Sequence, residues 1–497
     1  MPYIRKTKTA SGSTAIQAVT YKNRKMVVLK HFGSAKTVEE LDALREDAHV
    51  WLEKYTKQPS LFTRKDGSRI LHLGVNRCVG IRYSCAYIVF TEILKHIGFS
   101  AFNNRLLLDL VIMRIFEPSS KLRAIELLDR YFGVAYAQRT LYRELPKLVR
   151  YKKKAEEIAV SFAQKQLSCD FSFVLYDVTT LYFESFKADD LRKCGFSKDN
   201  KHAQPQVVIG LLVNADGFPL QYDIFAGNTF EGKTMLPVLR TFMDTHNTNT
   251  CCVVADAAMM SLQNINELKK EGFQYIVGAR VANLSPRIID IIADTLKEQR
   301  DGTSVRISTP HGDMIASFSS VRYRKDKSDM EKQITKAKNL VAAQEPGKRS
   351  KFIMSTVKEY ALNEELITKT KKLLGIKGYY TNIAQNKMSD AQVIAHYGSL
   401  WHVEQAFRMS KNDLVVRPIF HYKKDSIKAH LVICFISLAV GKFLELKSGI
   451  SLRRIVDLLK QVQDARIMNT QTNEEILLPA FVSQDTKYIL EKLGVSY

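Results

Sequence analysis

Residues 171–184 read FSFVLYDVTTLYFE. β-Branched and aromatic residues dominate, which favours an extended strand, yet Asp177 sits in the middle of it. An ionised carboxylate in so apolar a run is costly unless it is paired or holds a cation. The text downstream builds the surroundings of this strand. QVVIGLLV (206–213) and FPLQYDIF (218–225) are two more strand-like runs, joined by the turn signal NADG. GKTMLPVLRTFMDTH (232–246) has the pattern of a helix, and CCVVADA (251–257) that of a short, fully buried strand. SLQNINELKKEG (261–272) reads as a helix between a Ser N-cap and a terminal Gly, and FQYIVGAR (273–280) as another strand. The order β, β, β, α, β, α, β predicts three meandering strands followed by βαβ crossovers. That is an α/β fold, a mixed sheet with helices on its faces. Its first and fourth strands are neighbours, so Asp177 and Asp256 can face one point, and Asp256 falls at a strand C-terminus, where open sheets bind ligands.

On the N-terminal side, residues 13–31 predict two strands around the polar turn YKNRK (21–25). SAKTVEELDALREDAHVWLEKY then opens a helix, with Thr37 as N-cap and Glu40 at the capping-box position. From about Ala86 to Gln166 the text is mostly helical. PSSKLRAIELLDRYFG and AQRTLYRELPKLVRYKKKAEEIAV, parted by a Gly-containing turn, suit either a helix-turn-helix reader using Arg139, Tyr142 and Arg143 or an ordinary bundle with a basic face. On the C-terminal side, residues 281–377 interrupt the sheet pattern with polar, basic text. TSVRISTPHGDMIASFSSVRYRKD suggests a β-meander and MEKQITKAKNLVAAQ a charged helix. After KGYYTNIAQNKMS the chain is helical again, with Ser389 as N-cap. The expected division is 1–60, a β-hairpin and helix; 61–168, mainly helical; 169–280, first part of the core; 281–377, an inserted β/α subdomain; 378–450, second part of the core; and 451–497, a helical tail.

Bulk properties bound the partners. Among 497 residues, 74 Lys+Arg against 51 Asp+Glu give a formal charge of +23. A surplus that large points to a polyanion, nucleic acid first and acidic lipid second. Hydrophobic content of 45% describes a globular protein. The seven cysteines are odd in number and none lies in a C-x-x-C pair, which argues against a zinc ribbon or a disulfide framework. MPYIRKTKTASGS lacks an apolar signal core, and the run LVICFISLAVG from Leu431 is too short to span a bilayer. The expectation is a cytoplasmic protein without a membrane partner.

AHYGSLWHVEQAFRMSKNDL (395–414) has the look of an amphipathic helix, with Tyr397, Leu400, Trp401, Phe407 and Met409 apolar and Trp401 expected in the core. Tyr397, Glu404 and Lys411 recur at seven-residue spacing, about two turns, and so share one stripe of such a helix. Glu404 could pair with Arg408 at i+4. With Asp177 and Asp256 it would instead make three hard oxygen ligands, the type that suits Mg²⁺ or Mn²⁺. Two such ions support phosphodiester chemistry.

YDVTTLYFES, VVADAAMMS followed by a helix and YIVGAR, and the pattern Y-x2-L-x3-E-x6-K resemble the DDE transposases of bacterial insertion sequences. The branch is the insertion-sequence-four family with a Tyr-Arg-Glu-Lys signature. GNTFEGKTMLPVL (227–239) and RPIFHYKKDSIKAHLVICFISLA after Lys411 are similar to the same family, and the likeness spans roughly 170–445. The resemblance implies a ribonuclease-H-like mixed-sheet catalytic core with a β-containing insertion before the last helix; a mainly helical N-terminal region precedes it. The N-terminal 170 residues carry no comparable signature, so the expectation that 61–168 binds DNA ends rests on its basic helical text. The resemblance implies binding of terminal inverted repeats, hydrolytic nicking, and attack by the freed 3′-hydroxyl. Asp177, Asp256 and Glu404 would hold two Mg²⁺ or Mn²⁺ ions, while Tyr397 and Lys411 contact phosphates. Double-stranded DNA, as element ends and target, and a homodimer in the synaptic complex would be the partners, in a bacterial, nucleoid-associated setting. The signature Arg position holds Leu400, which cannot bind phosphate; Arg408 or His402 could substitute. Other readings are a ribonuclease-H-like nuclease or resolvase, and a catalytically silent transposase-derived DNA-binding protein.

Overall fold

The computed structural model describes residues 2–10, 12–56, 76–198, 200–246, 251–259, 261–343, 350–355 and 360–497. The expected boundary between residues 60 and 61 lies outside the described residues. The chain divides into two compact units, one formed by Met1–Val89, Glu126–Ala135 and Ile455–Tyr497, the other by Phe90–Ile125 and Tyr136–Arg454.

In the first unit, strands Tyr3–Lys8, Thr14–Lys22 and Lys25–Ala35 form an antiparallel sheet, one strand more than the sequence suggested. Asn23 and Arg24 both take left-handed backbone, φ 52° and 58°, as the two-residue hairpin turn requires. The helix Val38–Thr56 begins where Thr37 Oγ1 accepts from the Glu40 amide and packs Leu44 and Ala48 on Ile16. A second sheet pairs Asn76–Arg82 with Asp464–Asn469, and that strand with Glu475–Leu478. The expected helical tail is thus corrected: between helices Leu452–Gln461 and Gln484–Leu493 lies a hairpin, its turn carrying Asn473 at φ 57°. Asp464 is fully buried there and accepts from the amides of Ser84 and Ala480 and from the Tyr497 hydroxyl.

The second unit is built on an eight-stranded sheet. Its strands are β1 (Phe173–Tyr182), β2 (Gln206–Val213), β3 (Pro219–Ala226), β4 (Cys252–Ala255), β5 (Gln274–Ala279), β6 (Ser304–Thr309), β7 (Gly312–Phe318) and β8 (Ile376–Thr381). The spatial order is β6-β7-β8-β5-β4-β1-β2-β3, with β1, β4 and β5 parallel and every other pair antiparallel. Sequence signals account for much of this. Asn214 closes the NADG turn by accepting from the amides of Asp216 and Phe218. Helix α1 (Met235–His246) precedes β4, and α2 (Leu262–Lys270) is capped by Ser261.

Two expectations for 281–377 are corrected. Strands β6, β7 and β8 extend the main sheet and do not form a separate sheet, because β8 pairs along β5. The third strand of the meander is absent: SSVRYRKD begins helix α3 (Ser320–Ala342), where Ser319 accepts from the Arg322 amide and its cap overrides a weak strand pattern. Helix α3, helix α4 (Glu364–Lys372) and the short pair Ile353–Ser355 and Tyr360–Leu362 enclose a small core around Phe352.

The second segment weighed as a DNA reader is not one helix. Gln138–Glu144, a 3₁₀ stretch Leu145–Tyr151 and the helix Lys152–Gln166 follow one another, with Pro146 at the break. Three helices close the unit: α5 (Asp390–Gly398), α6 (Trp401–Arg408) and α7 (Lys424–Ser448). By length and composition α7 could cross a membrane, but 94% of its most apolar window is buried inside the fold. It packs on helix Arg105–Phe116 and on β3 as a core helix.

Candidate active site

The two aspartates meet by register. Parallel pairing runs Phe173 to Cys252, Val174 to Val253, Leu175 to Val254 and Tyr176 to Ala255. The next step along both strands sets Asp177 beside Asp256. Burial pushes the Asp177 carboxyl up to about 6; Lys198 opposes this, while Glu231 and Asp256 add to it. Asp256 is exposed just past the C-terminal end of β4, where its carboxylate accepts from the Ala257 amide at 2.7 Å and from the Tyr397 hydroxyl at 3.2 Å.

The expected continuous stripe of Tyr397, Glu404 and Lys411 is amended, because the helix is broken. Ser399 and Leu400 form a turn held by i→i+3 bonds, Leu400 to Tyr397, His402 to Ser399 and Val403 to Leu400. Residues Met409–Asp413 then widen into a π-helical turn. The break lets α5 cover β4, β5 and β8 while α6 covers β1 and β2. Tyr397 is therefore delivered to Asp256, and Lys411 to the other aspartate. Tyr397 reaches its partner only because position 278 in YIVGAR is glycine: a Cβ there would lie 2.6 Å from the Tyr397 hydroxyl oxygen. Glu404 is exposed on α6 and forms no ion pair with Arg408. Its charge acts on Tyr397 and on Lys377 of β8, so it faces the Asp256 side of the site.

Lys411 is half-buried, and burial plus the nearby Lys198 lowers its ammonium to about 8, with Asp177 acting in the opposite direction. The chain just after it is fastened from below. Arg114, buried, donates to the carbonyls of Val415 and Ser119. Buried His430 lies 3.0 Å from the Val416 carbonyl through Nε2, and its Nδ1 lies 3.1 Å from the buried Lys121 ammonium. The Ile419 amide donates to Tyr182 at the end of β1. Of the remaining candidates, Arg408 is exposed at the end of α6, and Arg139 and Arg143 lie on Gln138–Glu144, where Arg143 pairs with its neighbour Glu144 at 2.8 Å. Nothing ties these two arginines to the aspartates. Trp401, expected in the core, is 53% exposed, while Leu400 is buried; the turn at 399–400 exchanges the faces the two would have had on one helix.

The family model for a transposase DDE domain matches residues 169–440, more than half of the chain. The chain belongs to the DDE transposase family. No curated protein sequence matches it. Among solved structures it is similar to piggyBac transposase in a synaptic complex with hairpin DNA, with TM-score 0.38 and 8% identity over 76% of this chain and 79% of that one. It is also similar to Mos1 transposase in a paired-end complex with the left transposon end, with TM-score 0.16 and 10% identity over 48% and 67%.

In this transposase the carboxylates fit a hard divalent cation. The two aspartates belong to adjacent central strands, and the cation beside Asp177, Lys198, stays 3.8 Å from it and is shared with Glu231 at 3.2 Å. Among the described residues no three His, Cys, Asp or Glu gather where they could hold a metal ion, so Glu404 does not join the two aspartates as a third ligand here. Mg²⁺ does not need a closed cage, since it commonly takes one or two carboxylates and fills its shell with water and substrate phosphate. Sequence reading missed Lys198, Glu231 and Lys377. Glu231 lies in GNTFEGKT, a segment already singled out; a single lysine in a lysine-rich chain carries no signal.

Proposed function

We propose that this transposase binds the terminal inverted repeats of a mobile element, cleaves the DNA strands there and joins the freed 3′-hydroxyl to target DNA. The observation that carries the reading is the parallel register that ends with Tyr176 beside Ala255, one residue before each aspartate, with Tyr397 bonded to Asp256 and the charge of Asp177 acting on Lys411. Asp177, Asp256 and Glu404 would hold divalent ions of the kind the family generally uses, in this proposal two Mg²⁺ or Mn²⁺; bound there, such ions would activate the attacking oxygen and stabilise the leaving one. The protein's own groups supply position and charge. Lys411, on a fastened turn, offers a point charge to a phosphate oxygen next to Asp177. Tyr397 donates a hydrogen bond to Asp256, holding that carboxylate in one orientation. The Tyr-Arg-Glu-Lys branch of the insertion-sequence-four family fits the spacing of Tyr397, Glu404 and Lys411, with Leu400 as its departure. Double-stranded DNA partners, a synaptic homodimer, a bacterial cytoplasmic location and phosphate contacts by Arg408, Arg139 and Arg143 belong to the same proposal, in keeping with a charge of +23.

The test uses linear duplexes carrying the DNA ends that flank this gene, with Mg²⁺. Asp177→Asn, Asp256→Asn and Glu404→Gln should each abolish cleavage while shifting DNA affinity little. Full cleavage by any of the three would defeat the assignment of that acid. Pre-cleaved ends should be joined to a plasmid by the wild type; cleavage without joining would make the protein a nuclease or resolvase, and binding without either a silent DNA-binding protein.

A further inference from the structure

The end of the sheet that carries Asp256 also carries a cation from a different strand. Parallel β4 and β5 end there, and antiparallel β8 starts there, with Gly378 paired to Ala279. Lys377 therefore stands one residue outside that pair, on the Asp256 side. Its ammonium lies 4.4 Å from the centre of the Tyr397 ring, the same ring whose hydroxyl holds Asp256. No described acid forms an ion pair with it, although Asp256 and Glu404 both act on its charge. It lines a cavity of about 630 Å³ that runs from Asp256, Gly278 and Tyr397 to Arg322 and Lys369. Meanwhile the turn between α5 and α6 presents buried Leu400, so no cation enters the site from there.

We infer that Lys377 is a catalytic residue of this site: its ammonium, held against Tyr397, binds a DNA backbone phosphate adjoining the scissile one, and the cavity beyond it carries the strand onward past Arg322. A half-buried ammonium resting on an aromatic face, without a carboxylate at ion-pair distance, is placed to take up a substrate anion. A phosphate oxygen is the anion that DNA brings there. The inference rests on the function proposed above.

The experiment measures single-turnover cleavage of the same end duplexes by the full chain with Mg²⁺. A single neutral methylphosphonate is placed in turn at each phosphate flanking the cut. Wild type should lose about 100-fold in rate at one such position. Lys377→Ala should lose a similar factor on unmodified DNA and show no further loss at that position, and Lys377→Arg should recover part of the rate. Lys377→Met keeps the stem packed on Tyr397, so it separates charge from packing and should behave like Lys377→Ala. Losses that multiply at every position, or a Lys377→Met enzyme as fast as wild type, would overturn the role of Lys377 and leave the transposase reading intact. Wild-type protein that cleaves none of the duplexes would overturn that reading and this one together.

Discussion

At the scale of single residues, the site trades stability for chemistry. Asp177 holds its proton up to about 6, against 3.8 in an unfolded chain, because burial disfavours the charged form. A raised value means that the folded chain binds the proton more tightly. The stability this gives is complete below about pH 4 and is lost as pH rises through about 6. Asp177→Asn cannot ionise, so metal-free variant and wild type should be equally stable near pH 4. Near pH 8 the variant should be more stable by up to roughly 3 kcal/mol, as urea titrations at the two pH values would show. Added Mg²⁺ should stabilise the wild type and leave the variant nearly unmoved. Gly278 works differently, since its backbone is not in the left-handed region and only space is at issue. An alanine methyl would lie 2.6 Å from the Tyr397 hydroxyl oxygen and 3.0 Å from the Ala257 amide nitrogen. Gly278→Ala should displace Tyr397 and cut the cleavage rate by about 100-fold with the fold retained.

Elements show how far the sequence speaks. Strands β1 to β5 and both aspartates were legible because each run is short, apolar and bounded by strong local signals: the NADG turn, the Ser261 cap and, further on, Ser389 with its full capping box. Three things were not. That β8 lies along β5 is a pairing between residues about a hundred positions apart, and no local pattern encodes it. The start of α3 turned on one serine cap inside text that alternates like a strand. The break between α5 and α6 has no Pro, and Gly398 there takes ordinary negative φ, with open space where an alanine methyl would sit. Docking of α5 and α6 on different strands therefore sets the break, and the glycine does not. Gly398→Ala should accordingly raise stability by up to about 1 kcal/mol, read as a higher melting temperature, and leave cleavage unchanged. A large loss would mean that the turn depends on the glycine after all.

On the scale of the whole molecule, the first unit is assembled from three stretches, and the last of them closes its second sheet. Strand Asp464–Asn469 supplies the hydrogen bonds of Asn76–Arg82, and buried Asp464 gathers Ser84, Ala480 and Tyr497. A chain ending after Val462 should lose hydrogen-exchange protection across 76–84, while β4 keeps its own; protected amides at 76–82 in that truncation would refute the dependence. The bond from Ser84 to Asp464 joins residues 380 positions apart. Ribosomes add about 5–20 residues per second, so one half of that contact waits roughly 20–80 s for the other to be made. Completion of the second sheet of the first unit thus waits on late synthesis: a nascent chain already holding both aspartates and Lys411 still lacks the strand that pairs with Asn76–Arg82.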